Sequence, residues 1–296
     1  MTFDLSAALA GVRERAAQYP DPAARSQALI LTHDNPDPDS LAAAAGLSRL
    51  LSQAGFTCTL AAGGIIGRAE NRAMVRELQM HLMPVDAVDF AQFSVVGLVD
   101  TQPGTGNNSL PEGRVPDIVV DHHPPRGRSR EAPWCDIRPD AGASSTIVWS
   151  YLREQQVPWD PNLATAFLYA LKTETQDLGR DAGPAERQAY IELNALADHA
   201  RLHRITNPKL GREHFVALDR ACRNAICWGE LVAVNLGTLR YPDLVAEIAD
   251  LMLTYDRASW CLCVGEHEGA VFLSVRSDVE DAHAGELIRR VVGSKG

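Results

Sequence analysis

The sequence predicts an α/β protein with a parallel β-sheet in its first part and a smaller α/β domain after it. In the first part, short apolar segments alternate with amphipathic segments of helical period, which is typical of parallel strands joined by helices. From about residue 229 the pattern changes to a strand, a helix, a hairpin and a last helix. The length of 296 residues suits one large or two medium domains.

The composition is ordinary for a soluble globular protein, with 46% hydrophobic and 22% charged residues. The longest apolar runs, such as Val95–Val99, are far shorter than the roughly 20 residues of a membrane span. The N-terminus has neither a basic start nor a long apolar stretch, so we expect a cytoplasmic protein without a membrane partner. The net charge of −10 argues against long nucleic acid as a partner, whereas small anions remain suitable ligands.

The elements of the first domain follow from apolar segments that end in polar loops. A helix over 5–18 precedes a strand at 28–32, which runs into the loop HDNPDPDS. Asp39 or Ser40 then caps a helix that Gly55 closes. Further strands are predicted at 57–60, 94–99 and 117–120, and further helices at 68–80, 144–155 and 162–175.

We divide the chain into a first domain at 1–184, a helical linker at 185–228 and a second domain at 229–296. The linker is predicted to hold helices over 185–200 and 212–228. The second domain is predicted to hold a strand from 231, a helix over 243–254, a hairpin that turns at Glu268–Gly269 and a helix over 282–292.

Metal-type ligands follow three of the four strands predicted in the first domain. The carboxyl ends of parallel strands meet at one edge of a sheet, where ligands bind, so we expect these side chains to converge. A single aspartate here is typical of a helix cap and a lone histidine of a polar surface, but the whole set favours a metal site. Clustered carboxylates repel each other, and divalent manganese, magnesium, iron or cobalt relieves that repulsion. The residues are His33, Asp37 and Asp39 after the first strand, Asp100 after the third, and Asp121, His122 and His123 after the fourth.

Three motifs, HDNPDPDS, VDTQPG and VVDHHP, resemble in order the motifs of the DHH phosphoesterase superfamily, which includes RecJ-like proteins. The resemblance implies a parallel-sheet DHH domain, a linker helix and a smaller DHH-associated domain, with the active site in the cleft between the two domains. The strand LSVRS and the following AHAGELIRR resemble the associated domain of the oligoribonuclease and pAp-phosphatase (nanoRNase) branch.

The resemblance also implies a role for each motif residue. His33 and Asp37 would hold a first divalent metal ion, and Asp39 and His122 a second one. Asp100 would bridge both ions. The metal is expected to be Mn²⁺, with Co²⁺ or Mg²⁺ as alternatives.

Outside the metal ligands, the resemblance implies that His123 faces the substrate phosphate and that Asp121 orients a neighbouring ligand. The fourth motif of the superfamily is Thr-Asp-Thr-Gly, and this sequence has Thr173–Gln176, which reads Thr-Glu-Thr-Gln. Glu174 occupies the ligand position and is favoured as a metal ligand. Asp177 is the alternative if the helix register shifts.

Weaker candidates surround these motifs. The glycine-rich turn at Gly63–Gly64 either approaches a phosphate or is a plain strand-to-helix turn, and the second interpretation is favoured. The arginines that follow DHHPP either guide an anionic substrate or form an exposed loop. The candidate substrate contacts are Arg68, Asn71 and Arg276, and the arginines of the loop are Arg126, Arg128 and Arg130.

The function implied is two-metal hydrolysis of phosphoester bonds in short nucleotides, with Asp100, Asp121 and His123 as catalytic residues. The substrates considered are oligoribonucleotides of a few residues, linear dinucleotides and 3′-phosphoadenosine 5′-phosphate (pAp). One alternative is a manganese-dependent inorganic pyrophosphatase or exopolyphosphatase. Another is a regulatory protein that binds a nucleotide without turnover.

The superfamily pattern continues after the last helix into a segment that contains Gly-Gly-His. This sequence ends in VVGSKG, so we expect either that it is truncated before that segment or that the protein lacks those substrate contacts. Members of the superfamily often dimerise, and the resemblance therefore allows a homodimer.

Overall fold

The structure is a computed structural model that describes residues 3–279, residue 282 and residues 284–292. The chain divides into two compact units. The first holds the residues up to Ile66 together with Glu70–Asn207, and the second holds Gly67–Ala69 together with the residues from Pro208 onward. The boundary at Asn207 and Pro208 lies inside the predicted linker segment. Residues 293–296, where the sequence ends, lie outside the described residues.

The first unit contains a sheet of parallel strands, which confirms the predicted α/β class. Both faces of this sheet are covered, and its inner segments are therefore continuous apolar runs rather than alternating ones. The strands are β1 (Gln27–Leu31), β2 (Thr57–Ala62), β3 (Leu82–Pro84), β4 (Val95–Val99), β5 (Ile118–Asp121) and β6 (Trp134–Ile137). Their order is β3-β2-β1-β4-β5-β6, so β1 and β4 lie at the centre.

Two of these strands, β3 and β6, were not predicted, because neither has the pattern of a buried strand. β3 has three residues and ends in Pro84, which cannot donate a ladder hydrogen bond. β6 carries a buried charge, Asp136, that interrupts the apolar run. That carboxylate is stabilised by the Tyr151 hydroxyl and by Arg138, each of which donates to it over 2.6 Å.

The α-helices cover one face of the sheet, and short 3₁₀ turns and loops cover the other face. An apolar cluster fills the space on each face. Alternate residues of β1 pack into the two clusters, with Ile30 on one face of the sheet and Leu29 on the other. No helix in the described part of the chain is long and apolar enough to cross a membrane. The helices of this part of the chain are α1 (Leu5–Ala17), α2 (Pro38–Gln53), α3 (Ala69–Glu77), α4 (Ser144–Glu154), α5 (Pro161–Glu174), α6 (Pro184–Leu196) and α7 (His199–Thr206).

The start of α2 corrects one prediction, because Asp37 is its cap rather than Asp39 or Ser40. Asp37 Oδ1 accepts the Ser40 backbone N–H over 2.9 Å, and the Ser40 hydroxyl lies 3.1 Å from the Asp37 nitrogen and accepts its N–H. This reciprocal box, with Pro38 at the first helical position, satisfies the first free N–H groups of the helix. Asp39 is thereby free to act elsewhere.

The helix predicted over 185–200 is also different, because it is two helices, α6 and α7. The helix is interrupted before Asp198, whose side chain accepts hydrogen bonds from the backbone N–H groups of Ala200 and Arg201 over 3.0 Å each. An aspartate that can cap a new helix competes with the continuation of the old one.

The second unit is a smaller α/β layer, as predicted. Its sheet has the order β10-β9-β8-β7, with β8 and β9 parallel and the other pairs antiparallel. The hairpin turns at Glu268–Gly269, whose φ angles of 50° and 80° fit the twisted two-residue turn. Its elements are α8 (Arg212–Asn224), β7 (Ile226–Trp228), β8 (Leu231–Thr238), α9 (Leu244–Leu253), β9 (Trp260–His267), β10 (Ala270–Ser277) and α10 (Ala284–Val292).

The helix predicted over 212–228 ends at Asn224, because the next residues pair with β8 instead. Ile226 is opposite Ala233 and Trp228 is opposite Leu231 in that ladder. The turn between the strands uses Gly229 at a φ of 59°, where glycine carries no steric penalty. Trp228 is 82% exposed, so this side chain lies on the surface of its unit.

Candidate metal centre

The sequence-predicted ligands lie at the carboxyl edge of the central strands in the first unit. β1 leads to His33 and Asp37, β4 ends immediately before Asp100, and β5 ends at Asp121. Because β1, β4 and β5 are parallel neighbours, these residues leave the sheet side by side.

Asp100 is at the centre of this group and is 3% exposed. Its Oδ2 atom lies 3.5 Å from His33 Nε2, and its Oδ1 atom lies 3.6 Å from His122 Nε2 and 3.7 Å from His123 Nδ1. The backbone of Asp100 has a φ of 58°, a left-handed conformation that costs an L-residue about 1–2 kcal/mol. The sharp turn directs its carboxylate toward the three imidazoles.

Two of the imidazoles are held in the orientation of metal ligands. Nδ1 of His33 lies 2.9 Å from the Asp34 carbonyl, and Nδ1 of His122 lies 3.2 Å from the Ala141 carbonyl. A carbonyl only accepts, so Nδ1 carries a proton, and Nε2 is the nitrogen that faces Asp100. Burial lowers the pKa of His33, but the hydrogen bond and charge of Asp37 outweigh it and raise that pKa.

Asp39 has a partner that the sequence does not indicate, which is the N-terminus of α4. Its two carboxylate oxygens accept the backbone N–H groups of Ser144 over 2.7 Å and Ser145 over 2.9 Å. The residue before α4 is Ala143, which has no side-chain acceptor, so Asp39 caps this helix from more than one hundred residues away. The positive end of the helix also favours a negative charge at this point.

The buried carboxylates repel each other strongly. Burial and the charges of Asp39 and Asp37 raise the pKa of Asp100 well above its ordinary value. Burial also raises the pKa of Asp39, although the charge of His122 opposes the rise. The Ser144 hydroxyl donates to Asp100 Oδ1 over 2.9 Å and offsets part of this cost. A bound cation would relieve the repulsion between these carboxylates.

Within the described residues, two sets of ligand atoms could hold a metal ion, and they share Asp100. One set is His33, Asp37 and Asp100, the other is Asp100, His122 and His123, and the ligand atoms of each set lie within 4.8 Å of one another. Mixed carboxylate and imidazole donors fit a divalent ion such as Mn²⁺, Mg²⁺ or Co²⁺. A shared carboxylate between two sets is the arrangement that a bridging ligand requires.

The fourth motif places Glu174, rather than Asp177, next to this centre. Burial, followed by the charges of Asp39 and Asp37, raises the pKa of Glu174 to about 8. Asp177 is exposed and forms an ion pair with Lys172. The turn after α5 places Gln176, Asp177 and Leu178 at φ angles of 49°, 57° and 68°, so a glutamine adopts a left-handed conformation where the superfamily motif has glycine.

His123 is held by Asp121 and stays 58% exposed at its side chain. Its ring Nδ1 and its backbone N–H donate to Asp121 Oδ1 over 2.9 and 3.2 Å. The hydrogen bond to Asp121 raises the pKa of His123 and outweighs the opposite effect of burial. Burial raises the pKa of Asp121, but the bonds from His123 and Gln102 outweigh it and lower that pKa. Gln102, like Ser144 and Ser145, is a residue that the sequence analysis did not select.

The candidate substrate contacts occupy different places. Arg68 and Arg276 lie together in the second unit, where both bind Asp250 of α9, over 2.8 and 2.5 Å. Asn71 lies in α3 of the first unit and is 6% exposed. The loop arginines are exposed, and one of them, Arg128, pairs with Glu131.

The glycine-rich turn packs against the loop that follows β1. A Cβ atom at Gly63 would lie 2.1 Å from Asp34 Oδ1, and one at Gly64 would lie 2.3 Å from Asn35 Oδ1. Two backbone contacts complete the fit, since Asn35 N–H donates to the Gly63 carbonyl over 3.0 Å and Ile65 N–H donates to Asn35 Oδ1 over 2.9 Å. These glycines therefore permit the close approach of two loops.

A curated protein is similar to most of this chain. A protein from Methanocaldococcus jannaschii, uncharacterized protein MJ1633, is 30% identical over 270 residues, which are 90% of this chain and 55% of that protein. The chain thus spans about half the length of this curated relative.

One of the similar solved structures shares the fold. An exopolyphosphatase-related protein from Bacteroides fragilis superposes with a TM-score of 0.70 at 12% identity, over 96% of this chain and 86% of the other. RecJ from Thermus thermophilus in complex with Mn²⁺ has a TM-score of 0.44 at 16% identity, over 95% of this chain and 49% of the other. The family model described as DHH family, N-terminal domain, matches residues 27–171, which include the candidate metal ligands His33, Asp100 and His122. Residues 27–171 of this chain are therefore similar to the N-terminal domain of the DHH family.

Proposed function

We propose that this protein is a metal-dependent phosphoesterase that hydrolyses short nucleotides, namely oligoribonucleotides of a few residues, linear dinucleotides or pAp. The observation that carries the proposal is the position of Asp100, a buried carboxylate shared by two sets of metal-type ligands. A buried carboxylate of raised pKa is costly without a cation, and two sets of donors around it leave room for two.

The candidate ligands would bind two metal ions. His33, Asp37 and Asp100 would hold one ion, and Asp100 and His122, with Asp39 and Glu174 beside them, the other. When bound, two divalent ions polarise a phosphoryl oxygen and lower the pKa of the attacking water. Mn²⁺ is the ion we favour, because it accepts both carboxylate oxygen and imidazole nitrogen.

His123 is proposed to bind the substrate phosphate. Its Nδ1 is occupied by Asp121, which leaves Nε2 as the free ring nitrogen of a side chain that is 58% exposed. The raised pKa favours the protonated ring, and a protonated Nε2 donates a charge-assisted hydrogen bond to a phosphate oxygen. Asp121 fixes the ring orientation in which this donor faces outward.

A second candidate function is hydrolysis of pyrophosphate or polyphosphate. The likeness of the fold to an exopolyphosphatase-related protein, which extends over 96% of this chain, favours this candidate. Both candidates use the same metal centre and differ in the group that the phosphate carries.

The test is phosphate or nucleotide release from a panel of pAp, pApA, pGpG and pyrophosphate, each with Mn²⁺, Co²⁺ or Mg²⁺. We expect release from the nucleotides with Mn²⁺, and loss of release in Asp100→Asn with retained fold. Asp86→Asn, at an exposed carboxylate, is the matched control. Release from pyrophosphate alone supports the second candidate. Binding without release from any member of the panel excludes the enzyme and supports a regulatory nucleotide-binding protein.

A further inference from the structure

Gln102 is buried two residues after Asp100, with 1% of its surface exposed, and its side-chain amide makes five hydrogen bonds. The nitrogen end faces groups that only accept, and the oxygen end faces a backbone N–H that only donates. This fixes the orientation of the amide. The residue belongs to the motif VDTQPG, yet nothing in the metal chemistry described above uses it.

The nitrogen end of Gln102 supports His123. Nε2 donates to Asp121 Oδ2 over 2.6 Å and to the carbonyls of His123 and Pro124 over 3.3 and 3.2 Å. Asp121 uses its other oxygen for the His123 ring. With both oxygens occupied, the Asp121 carboxylate cannot rotate without breaking a hydrogen bond, and the His123 ring is fixed in turn.

The oxygen end of Gln102 anchors the segment 126–130, which we call the arginine loop. Oε1 accepts the Arg126 backbone N–H over 2.6 Å and the Ser129 hydroxyl over 2.7 Å. Ser129 is fully buried, whereas the side chains of the loop arginines, Arg126, Arg128 and Arg130, are exposed around it. The loop is thus held at Arg126 and Ser129 while it presents positive charge to solvent, in a protein of net charge −10.

We propose that Gln102 is a positioning residue that fixes the arginine loop relative to His123, so that the site prefers substrates with a second anionic group. The inference rests on the proposed function and deepens it, because it assigns a preference for nucleotides with two separate phosphates, such as pAp, to named residues outside the metal centre. His123 would bind the phosphate that reacts, and the loop would bind the other. An amide is the side chain that donates at one end and accepts at the other, as this position requires.

Two variants test the roles of the two ends of the Gln102 amide separately. Gln102→Glu keeps an acceptor for Arg126 and Ser129 but replaces the donor to Asp121 with a repelling oxygen. Ser129→Ala keeps the bonds to Asp121 and removes one anchor of the loop. Gln53→Glu, an exposed position on α2, makes the same change of charge away from both and is the control.

The assay is hydrolysis of bis-p-nitrophenyl phosphate with Mn²⁺, inhibited competitively by pAp or by adenosine 5′-phosphate, which differ by one phosphate. Gln102→Glu should lower kcat about tenfold or more at unchanged metal content. Ser129→Ala should weaken pAp about three- to tenfold, and adenosine 5′-phosphate less than about twofold. Melting temperatures identify a variant that fails to fold. If one variant fails, the other still tests its own claim: Gln102→Glu tests the support of His123, and Ser129→Ala tests the contact of the loop with a second phosphate.

A kcat for Gln102→Glu equal to that of Gln53→Glu would overturn the role of Gln102 toward His123. An equal loss of both inhibitors in Ser129→Ala would overturn the preference for a second phosphate. If the unmodified protein hydrolyses no substrate, the proposed function fails. Calorimetric dissociation constants of pAp and adenosine 5′-phosphate, measured for the unmodified protein and for Ser129→Ala, then test whether the loop binds a second phosphate.

Discussion

Replacement of Ser144 by alanine removes a single hydroxyl that supports Asp100, the proposed shared metal ligand. This hydroxyl donates to Asp100 Oδ1 over 2.9 Å, and both residues are buried. The Ser144 backbone N–H that binds Asp39 remains in the variant. A hydrogen bond to a charged group contributes about 1.5–3 kcal/mol, and about 1.4 kcal/mol corresponds to a factor of ten. In the metal-free protein the same bond contributes only about 0.5–1.5 kcal/mol. The difference of about 1–1.5 kcal/mol leads us to expect about tenfold weaker divalent metal binding in Ser144→Ala.

The assay is calorimetric titration of the metal-free protein with Mn²⁺, together with thermal unfolding without metal. Without metal, the raised pKa of Asp100 favours its neutral form, so the lost bond should cost only about 0.5–1.5 kcal/mol of stability. Thr146→Val is the matched control, since its buried hydroxyl has no hydrogen-bond partner in the described part of the chain. Equal Mn²⁺ affinities of the two variants would refute the reasoning.

Three further changes test other parts of the site. Because Glu174 keeps its proton in the folded state up to a pKa of about 8, against an ordinary value of 4.5, the metal-free protein should lose stability as the pH rises through that window. Thermal unfolding should show a shallower slope in Glu174→Gln, and an unchanged slope counts against the assignment. Gln176→Gly should raise the free energy of unfolding in urea by about 0.5–1 kcal/mol, since it relieves a left-handed residue at the cost of chain entropy; a loss of stability contradicts this. Gly63→Ala should lower both the melting temperature and the Mn²⁺ affinity, because its Cβ displaces Asp34, whose carbonyl orients His33; a variant with both values unchanged would show that the loop yields freely.

The meeting of the motif residues at one sheet edge could be predicted, because it depends on local pattern alone. A strand that is buried on both faces appears in sequence as an apolar run, and the residue after it marks the carboxyl end. His33, Asp100 and Asp121 each follow or end such a run. Once the strands are predicted to be parallel, it follows that their carboxyl ends lie at one edge of the sheet.

What could not be predicted depends on pairs that are distant in sequence. Asp39 caps α4 across more than one hundred residues, and the local pattern around it suggested instead a cap for its own helix. Gln102 gave no signal, because a glutamine has no charge or spacing that marks it as the support of Asp121. The short edge strand β6 was missed for a related reason, since Asp136 interrupts the run and has partners that only the fold supplies.

If Asp39 binds a metal ion as proposed, the cap that it forms on α4 affects the speed and selectivity of ion binding. The two backbone N–H groups hold this carboxylate in place before any cation arrives, so the entropy of ordering it is lost during folding rather than during binding. A site assembled in advance has little freedom to shrink or expand around an ion. We therefore expect discrimination between divalent ions to follow ionic radius closely, with fast uptake that needs no rearrangement of the surrounding chain.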